Sequence, residues 1–337
     1  MKKTNVAING FGRIGRAAAK IIATRFPELR LVAINDLGDP ATLAQLLKHD
    51  SCYGTFPLEV KAGKDNLLIG RNKVPVFSVK DPAQLPWEKL GVDVVLECTG
   101  KFRSKADLGL HIKAGARKVI LSAPAKGGGV KTIVLGVNEK KLGRKDNVFS
   151  CASCTTNCLA PATAVIKEKF GIKRAVMTTI HAYTADQNLV DGPHKDLRRA
   201  RAAAINIVPT STGAATATAE TIPSLKGNFD GLAVRVPVAV GSLCDVTYLL
   251  KRKTSAEDIN RAFAQASRGK LKGILEASKA ELVSSDIVGN PHSSIVDLSL
   301  TKVIGGDLAK VVAWYDNEWG YANRLVELAS YVRKYLK

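Results

Sequence analysis

Three glycines near the amino terminus, Gly10, Gly12 and Gly15, constrain the fold of this 337-residue chain more than any other feature. They follow an apolar strand pattern at residues 6–8 and precede an alanine- and isoleucine-rich helix pattern at residues 16–24. In that context the first glycine permits a tight turn, the second admits a pyrophosphate to the backbone, and the third lets helix and strand pack closely. The spacing predicts a dinucleotide-binding strand–helix–strand unit, with the helix amino terminus facing the phosphates.

An acidic residue stands where this fingerprint requires one. A second apolar strand pattern, residues 29–34, ends in Asn35 and Asp36, about 20 residues beyond the last glycine. We expect the Asp36 carboxylate to hold the ribose hydroxyls of NAD and to repel the 2′-phosphate of NADP. The sequence therefore favours NAD as cofactor and leaves NADP as the alternative.

The first half of the chain alternates strand and helix patterns, which predicts a doubly wound parallel sheet, the Rossmann architecture. Thr99 and Ser122 follow strand patterns, at the carboxyl ends where ligands bind in such sheets. The predicted strands after the fingerprint are residues 92–98, 118–121, 132–137 and 148–149, with a helix at residues 105–114.

After Cys154 the pattern changes, and strands separated by helices predict an α+β domain with a mainly antiparallel sheet. Between residues 185 and 206 a charged segment lacks periodic apolar residues, which is typical of a functional loop. Helices are predicted at residues 154–169, 256–266, 273–277 and 321–336, and strands at residues 175–184, 232–237, 242–251, 295–303 and 310–315.

Composition predicts an ordinary soluble globular protein of two domains, with 46% hydrophobic and 24% charged residues. No apolar run reaches the length of a membrane span, and the start leads into a strand pattern without a signal or transit peptide. The six cysteines are too few for a disulfide scaffold and suit a reducing compartment. We therefore expect a cytoplasmic protein without membrane association.

The formal net charge of +20 is unusually high. It would attract anionic metabolites and also nucleic acid. Because the basic residues are spread along the chain without an aromatic-interleaved module, nucleic-acid binding is expected only as a possible secondary activity. The five scattered histidines and the absence of paired cysteine spacing predict no metal site.

Cys154 lies where a strand pattern turns into a helix, among serines and threonines suited to capping the first turn. Unpaired backbone N–H groups and the positive end of the helix dipole would favour its thiolate. His181 ends the next predicted strand, which can return towards the start of that helix. A cysteine–histidine pair beside a nicotinamide can oxidise an aldehyde through a thioester.

Residues suited to binding anions surround this pair along the sequence. Residues 210–215 form a small-residue turn, and Arg235 projects from a strand. Together with Thr184 and Arg199 they could form two anion pockets, since arginine pairs well with phosphate.

Five motifs together resemble those of phosphorylating glyceraldehyde-3-phosphate dehydrogenases. They are Ser-Cys-Thr-Thr-Asn-Cys at 153–158, Thr-Ile-His-Ala-Tyr-Thr at 179–184, Asp-Leu-Arg-Arg-Ala-Arg at 196–201, Pro-Thr-Ser-Thr-Gly-Ala-Ala at 209–215 and Trp-Tyr-Asp-Asn-Glu-Trp-Gly-Tyr at 314–321. Matching motifs run in order over nearly the whole chain, and the first of them is highly specific.

The resemblance implies a role for each matching residue. Cys154 matches the nucleophile and His181 its base, while Thr184 and Arg235 match the pocket for the substrate's own phosphate. The inorganic-phosphate pocket is matched by Ser153, Thr155, Thr212 and Gly213, with Arg199 serving this region. The cofactor contacts are matched by Gly10, Gly12, Arg13, Ile14, Gly15, Asp36, Thr99, Ser122, Asn317 and Tyr321.

The resemblance also implies the organisation of the molecule. It predicts an NAD-binding domain at residues 1–153, a catalytic domain at residues 154–317, and a final helix within residues 318–337 that packs back on the first domain. It further implies a homotetramer acting on D-glyceraldehyde 3-phosphate and inorganic phosphate, in glycolysis or in reverse in gluconeogenesis. The rival within enzymes is erythrose-4-phosphate dehydrogenase, a relative that shares the cysteine and histidine.

Two positions depart from the family pattern. Cys151 stands where the family usually has asparagine, and Gly192 precedes Pro193 where NAD-using bacterial members commonly carry leucine. Pro193 and Leu37 still favour NAD, because NADP-using relatives tend to have smaller polar residues at both places.

Overall fold

The computed structural model describes residues 3–336, which divide into two compact units. One comprises the described residues of Met1–Ile133, Lys140–Ser153 and Ala322–Lys337, and the other comprises Val134–Glu139 and Cys154–Tyr321. The chain therefore passes from one unit to the other four times. No helix among the described residues is long and apolar enough to cross a membrane.

The first unit is built on a twisted sheet flanked by helices. Its elements are β1 (Thr4–Asn9), α1 (Arg13–Arg25), β2 (Leu29–Asn35), α2 (Pro40–Lys48), β3 (His49–Asp50), β4 (Gly54–Thr55), β5 (Val60–Ala62), β6 (Asn66–Ile69), β7 (Asn72–Phe77), β8 (Val94–Glu97), α3 (Lys105–Lys113), β9 (Lys118–Leu121), β10 (Lys131–Thr132) and β11 (Val148–Ser150).

The strands of this sheet run in the order β10-β11-β9-β8-β1-β2-β7-β6-β5. All pairings from β10 to β7 are parallel, and only β6 and β5 pair antiparallel at the edge. Every residue of β8 and β9 is buried, as expected for central strands of a parallel sheet covered on both faces. The predicted Rossmann class is confirmed.

The three fingerprint glycines are each explained by their surroundings. Gly10 has φ +90°, and an added Cβ would lie 2.6 Å from the backbone nitrogen of Thr99. At Gly15 an added Cβ would lie 2.1 Å from the Gly10 carbonyl oxygen, so helix α1 can only pack this closely without a side chain there. Around Gly12 there is open space within 4 Å. Gly10 and Gly15 are therefore needed for close packing of the backbone, whereas Gly12 leaves open space at the start of α1.

The second unit contains a second sheet and its own helices. Its elements are α4 (Cys154–Phe170), β12 (Ile172–Ala182), β13 (Val208–Thr210), α5 (Ala214–Thr221), β14 (Phe229–Val236), β15 (Ser242–Leu250), α6 (Ala256–Arg268), β16 (Leu275–Ser278), β17 (Ser294–Ile304), β18 (Leu308–Tyr315) and the first residues of α7 (Trp319–Tyr331).

These strands form a mainly antiparallel sheet in the order β13-β14-β12-β15-β18-β17-β16. Only β12 with β14 and β16 with β17 pair in parallel. Apolar residues of α4, among them Leu159 and Ile166, pack in one core with alternating residues of β15 such as Tyr248. The predicted α+β class is confirmed.

Two predicted elements are wrong. The strand predicted at residues 132–137 ends at Thr132, because the Val134 N–H bonds to the Asn138 side chain at 2.8 Å and Gly136 turns the backbone at φ +81°. The helix predicted at residues 273–277 is instead strand β16, whose pairing with β17 outweighs local propensity. The final helix α7 also ends at Tyr331, followed by a 3₁₀ turn.

A pair of glycine substitutions tests where α3 ends. Gly109 lies inside α3 with open space around an added Cβ, whereas Gly115 follows its end at φ +103° with Glu88 only 2.4 Å from an added Cβ. We expect Gly109→Ala to raise the free energy of unfolding by up to about 1 kcal/mol, and Gly115→Ala to lower it by about 1–3 kcal/mol. Urea denaturation measures the free energy of unfolding of each variant. Equal changes in the two variants would contradict the placement of Gly109 inside α3 and of Gly115 beyond its end.

Candidate active site

The segment before α4 is held in a strained turn. Ser150, the last residue of β11, donates its hydroxyl to the Ala123 carbonyl at 2.6 Å and accepts the Ala152 N–H at 2.9 Å. Ala152 itself has φ 58°, a left-handed conformation that costs a residue with a Cβ roughly 1–2 kcal/mol. Such strain is concentrated at functional sites. It leads directly to Ser153, which is half-buried, and to Cys154 at the start of α4.

Cys154 and His181 lie together in the second unit. The cysteine begins α4, the chain returns through β12, and the Cys154 Sγ stands 3.4 Å from the His181 Nε2. His181 is 5% exposed, and its ring packs edge-on against Tyr315 with centroids 6.0 Å apart. Thiol and imidazole are therefore within proton-transfer distance.

Hydrogen bonding assigns the tautomer of His181. Its Nδ1 lies 2.6 Å from the Ala182 carbonyl oxygen, which can only accept, and 3.1 Å from Arg235 NH1, which can only donate. Because the two hydrogens of Arg235 NH1 are taken by the Ala182 carbonyl and the Thr184 hydroxyl, the shorter contact places the proton on Nδ1. Arg235 NH1 donates to the same carbonyl at 3.0 Å. Nε2 is left with a lone pair directed at the thiol, which is the arrangement a general base requires.

Burial opposes a charge on either partner alone. It raises the pKa of the Cys154 thiol to about 11, against the opposing effect of the Arg235 charge. Burial and Arg235 together lower the pKa of His181 to about 3. The sequence predicted a thiolate favoured by the helix terminus; burial of the thiol, which the sequence does not reveal, works against it.

Proton transfer from sulfur to nitrogen creates both charges at once, at the 3.4 Å separation of the two atoms. Their attraction is strong in a medium of low dielectric, and the amino terminus of α4 adds to it. The two groups therefore exchange a proton as a unit and do not ionise independently.

The hydroxyl of Tyr315, which sequence reasoning missed, joins the two elements that carry this pair. It lies 2.9 Å from the Thr155 hydroxyl on α4 and 2.8 Å from the Thr179 hydroxyl on β12. Thr155 is consequently buried at 4% exposure, with its hydroxyl directed at Tyr315 and not at solvent. The available signal was the place of Tyr315 in the motif at residues 314–321.

Arg235 and Thr184 are brought together. Arg235 pairs with His181 across the parallel strands β14 and β12, and its NH1 donates to the Thr184 hydroxyl at 3.2 Å. Its buried Nε has no hydrogen-bond partner among the described residues. A half-buried guanidinium whose Nε is buried and unpaired suits an anion.

Arg199 is held by its own loop. It donates through Nε to the Thr210 hydroxyl at 2.9 Å, through NH2 to the Ser211 carbonyl at 3.1 Å, and through NH1 to Asp186 at 2.5 Å. The pKa of Arg235 is lowered mainly by burial and next by the positive charge of Arg199. The field of Arg199 therefore reaches Arg235. Sequence reasoning missed Asp186.

The remaining predicted phosphate residues lie at the start of α5. Thr212 is half-buried, with its hydroxyl accepting the Ala214 N–H at 3.2 Å. Gly213 precedes the helix, is exposed, and has open space around it. This is the small-residue turn that the sequence predicted, with a helix following it.

Two of the fingerprint glycines, Gly10 and Gly12, border a cleft of about 540 Å³ in the first unit. Asp36 is fixed at its wall, accepting the Phe11 N–H at 2.7 Å and the Gly38 N–H at 2.9 Å. The lining residues include Asn9, Gly10, Gly12, Asn35, Asp36, Leu37, Cys98 and Thr99. Open space beside Gly12 and an ordered carboxylate are what a dinucleotide with free ribose hydroxyls needs.

Other predicted cofactor residues lie around α1 and the strand ends of the same unit. Arg13 forms an ion pair with Asp50 at 2.9 Å and lies over the Tyr53 ring. Ile14 is half-buried in α1, and Ser122 follows β9 and donates its N–H to the Glu97 carbonyl at 2.9 Å.

Beneath this cleft a buried carboxylate, missed by sequence reasoning, holds the strand ends in place. Glu97 is fully buried and accepts from Asn9 Nδ2 at 2.6 Å and from the Thr99 N–H at 2.8 Å. His111 Nε2 lies 3.0 Å away, and Trp87 donates to the other ring nitrogen, so that Nε2–H donates to Glu97. The signal in the sequence that could have identified Glu97 was an acidic residue at the end of an apolar strand.

Asn317 and Tyr321 lie near the end of the second unit, both buried. The Asn317 Oδ1 accepts the Ser242 hydroxyl at 2.9 Å and the Gly241 N–H at 3.1 Å. Its amide nitrogen is thus the end left to bind another group.

Comparison with known proteins accounts for this combination. The family described as glyceraldehyde 3-phosphate dehydrogenase, NAD binding domain, matches residues 4–105, and its C-terminal domain matches residues 153–317. The chain belongs to the glyceraldehyde-3-phosphate dehydrogenase family.

Similar members of the family cover the chain almost end to end. Glyceraldehyde-3-phosphate dehydrogenase of Mycobacterium avium is 56% identical over 98% of this chain and 99% of its own length. The protein of that name from Mycolicibacterium smegmatis is also 56% identical, with the same coverage. Glyceraldehyde-3-phosphate dehydrogenase 2 of Streptomyces avermitilis is 51% identical over 97% of this chain and 98% of its own.

Replacing the base tests whether the pair ionises as a unit. In His181→Asn the Cys154 thiol loses its proton acceptor, so proton transfer no longer offsets the burial that raises its pKa to about 11. We expect alkylation of Cys154 by iodoacetamide at pH 7 to slow roughly tenfold for each unit by which the pKa rises, and its midpoint to move to higher pH.

Mass spectrometry of the Cys154 peptide measures this reaction, with Cys154→Ser giving the background from the other cysteines. An alkylation profile that is the same in His181→Asn and the unmodified protein would show that His181 does not take the thiol proton.

Proposed function

We propose that this chain catalyses the oxidative phosphorylation of D-glyceraldehyde 3-phosphate to 1,3-bisphosphoglycerate with NAD, in glycolysis or in the reverse direction in gluconeogenesis. The observation that carries the proposal is the Cys154–His181 pair at 3.4 Å, with Arg235 beside it. Family membership supports the same reaction, because each of the relatives compared bears the name of this dehydrogenase. The first unit would serve as the NAD-binding domain and the second as the catalytic domain.

The proposed chemistry starts with proton transfer from Cys154 to His181. The sulfur then adds to the aldehyde carbon, and the oxygen of the resulting hemithioacetal takes the proton back from His181 Nε2, which leaves the imidazole neutral. The Cys154 N–H, at the start of α4, and the protonated imidazole would stabilise the developing oxyanion, a contribution worth about 3 kcal/mol in comparable sites.

NAD, when bound, supplies the acceptor for the hydride that leaves the aldehyde carbon. His181 Nε2 takes the hydroxyl proton in the same step, so that the carbon is oxidised to the thioester level on Cys154. An oxygen of inorganic phosphate then attacks the thioester, the Cys154 sulfur leaves, and the acyl phosphate is released. No redox partner other than NAD is required.

The proposed roles of the anion-binding residues follow from their charge. Arg235 and Thr184 would hold the phosphate that the substrate carries, and Arg199 would serve the inorganic phosphate with Ser153, Thr155, Thr212 and Gly213. For Thr155 this requires a backbone contact, because its hydroxyl already bonds to Tyr315 at 2.9 Å. The cofactor would be held by the residues of the first-unit cleft, with Asn317 and Tyr321 at its nicotinamide end.

Initial rates of NADH formation test the proposal. We expect fast reduction of NAD with glyceraldehyde 3-phosphate, dependent on inorganic phosphate and abolished in Cys154→Ser. Erythrose 4-phosphate should react at a much lower kcat/KM; the comparisons do not favour that alternative. Absence of activity with either aldehyde in the folded, reduced protein would overturn the assignment.

Cofactor preference tests the role of Asp36. We expect Asp36→Asn to lower the ratio of kcat/KM for NAD to that for NADP by about tenfold, because the charge that repels the 2′-phosphate is removed. Asp39→Asn is the matched control, since Asp39 caps α2 through Thr42 and lies outside the residues that line the cleft. If both variants shift the ratio equally, the net charge of the protein, and not the position of Asp36, determines the preference for NAD over NADP.

We further propose a homotetramer. The segment between β12 and β13 exposes a group of large apolar side chains at 71–81% of their surface, which is unusual unless a partner covers them. They are Leu189, Val190, Leu197, Ile205 and Ile207. Sedimentation equilibrium of the unmodified protein should give four times the chain mass of 36.0 kDa, and a monomer would refute this.

A cytoplasmic location is proposed on chemical grounds. The reaction requires Cys154 as a free thiol, and none of the six cysteines forms a disulfide in the structure. Cell fractionation would test this, with recovery in a secreted fraction counting against it.

A further inference from the structure

Ser242 is a fully buried hydroxyl residue to which the chemistry above gives no role. It begins β15, opposite Tyr315 on β18, and is 1% exposed. Its Oγ lies 3.0 Å from the Ala182 nitrogen and 2.9 Å from the Asn317 Oδ1. A single hydroxyl therefore connects the end of β12 to Asn317.

The direction of both hydrogen bonds is fixed by chemistry. The Ala182 N–H can only donate, so the Ser242 oxygen accepts it and directs its own hydrogen to Asn317 Oδ1. The Gly241 N–H donates to the same oxygen at 3.1 Å. Two donors thus hold the carbonyl end of the Asn317 amide. A rotated amide would place its NH₂ group against both of them, which leaves buried donors unpaired.

The same contacts reach the general base. The Ala182 carbonyl accepts the proton of His181 Nδ1 at 2.6 Å, while the Ala182 nitrogen donates to Ser242. The one residue Ala182 therefore links the imidazole on one side to Ser242 and Asn317 on the other. All of these residues belong to the second unit.

We propose that Ser242 is a positioning residue that fixes which end of the Asn317 amide is presented to the nicotinamide carboxamide and ties that amide to the strand carrying His181. With Oδ1 held by Ser242 and Gly241, Asn317 offers an N–H donor, which selects a carbonyl oxygen as its partner. Because the carboxamide is a substituent of the nicotinamide ring, holding it restricts rotation of the ring about the glycosidic bond, and that rotation decides which face receives the hydride. The inference rests on the proposed function for its kinetic consequences, but not for its effect on NAD binding.

Removing the hydroxyl should loosen the Asn317 amide. In Ser242→Ala we expect the dissociation constant of NAD, measured by isothermal titration calorimetry without substrate, to rise roughly fivefold, as the loss of one hydrogen bond implies. The KM for NAD should rise to a similar extent, while the KM values for glyceraldehyde 3-phosphate and inorganic phosphate stay within twofold of the unmodified enzyme.

Facial selectivity gives a readout that general loosening of the fold would not change. With glyceraldehyde 3-phosphate deuterated at the aldehyde carbon, proton NMR of the reduced cofactor shows which face received deuterium. We expect the unmodified enzyme to label one face alone and Ser242→Ala to label the second face measurably. Ser242→Thr, which keeps the hydroxyl, should restore both selectivity and NAD affinity.

Thr163→Val is the matched control. Thr163 is a fully buried hydroxyl residue of the same unit, bonded to the Tyr248 hydroxyl at 2.9 Å and in no hydrogen bond with Asn317. This variant should retain NAD affinity and facial selectivity. In the Asn317→Ala background, Ser242→Ala should add nothing further to the dissociation constant for NAD, because the two residues act through one contact.

The outcomes separate the two proposals. An inactive unmodified enzyme would overturn the proposed function, while calorimetry would still decide the role of Ser242 in NAD binding. Unchanged NAD affinity and selectivity in Ser242→Ala, or equal losses in Thr163→Val, would overturn the role of Ser242. Should Ser242→Ala fail to fold, Ser242→Cys provides the same comparison, since it keeps the volume and weakens the donor.

Discussion

A partly buried thiol beside a buried imidazole, each of them unfavourable as an isolated charge, is the constraint on which the second unit depends. Burial raises the pKa of Cys154 to about 11 and lowers that of His181 to about 3, so near neutral pH neither group is charged by itself. Their separation must therefore be held within hydrogen-bonding distance. Tyr315 does this by bonding to Thr155 on the helix that begins with Cys154 and to Thr179 on the strand that carries His181.

In the first unit the equivalent constraint is close packing of backbone. An added Cβ at Gly10 or Gly15 would collide with main-chain atoms. Because neither residue has a Cβ, α1 can lie close to the strand ends. Glu97 then holds the Asn9 side chain and the Thr99 backbone from below through hydrogen bonds of 2.6 Å and 2.8 Å. A buried carboxylate needs such partners. The same bonds keep both ends rigid at the wall of the cleft, where rigidity favours binding.

Sequence reasoning succeeded where one residue type has one physical use. Glycine spacing followed by Asp36 predicted the dinucleotide cleft, and alternating apolar patterns predicted both sheet types. It failed at residues 273–277, where pairing with β17 decides the conformation, and at residues 132–137, where the Asn138 side chain takes the bond a strand would have made. Glu97 and Ser242 were missed because each has partners distant in sequence, Asn9 for Glu97 and Asn317 for Ser242.

The sequence by itself determined the fold class and the family, and it predicted which residues act as nucleophile and base, because these depend on local spacing and on motifs in order. The tertiary structure alone decided the protonation of the pair, the direction of the Asn317 amide and the occupation of the Thr155 hydroxyl. Each of these depends on burial and on hydrogen bonds between residues far apart in the chain, such as Thr155 with Tyr315. Those distances exist only after the strands have been placed side by side.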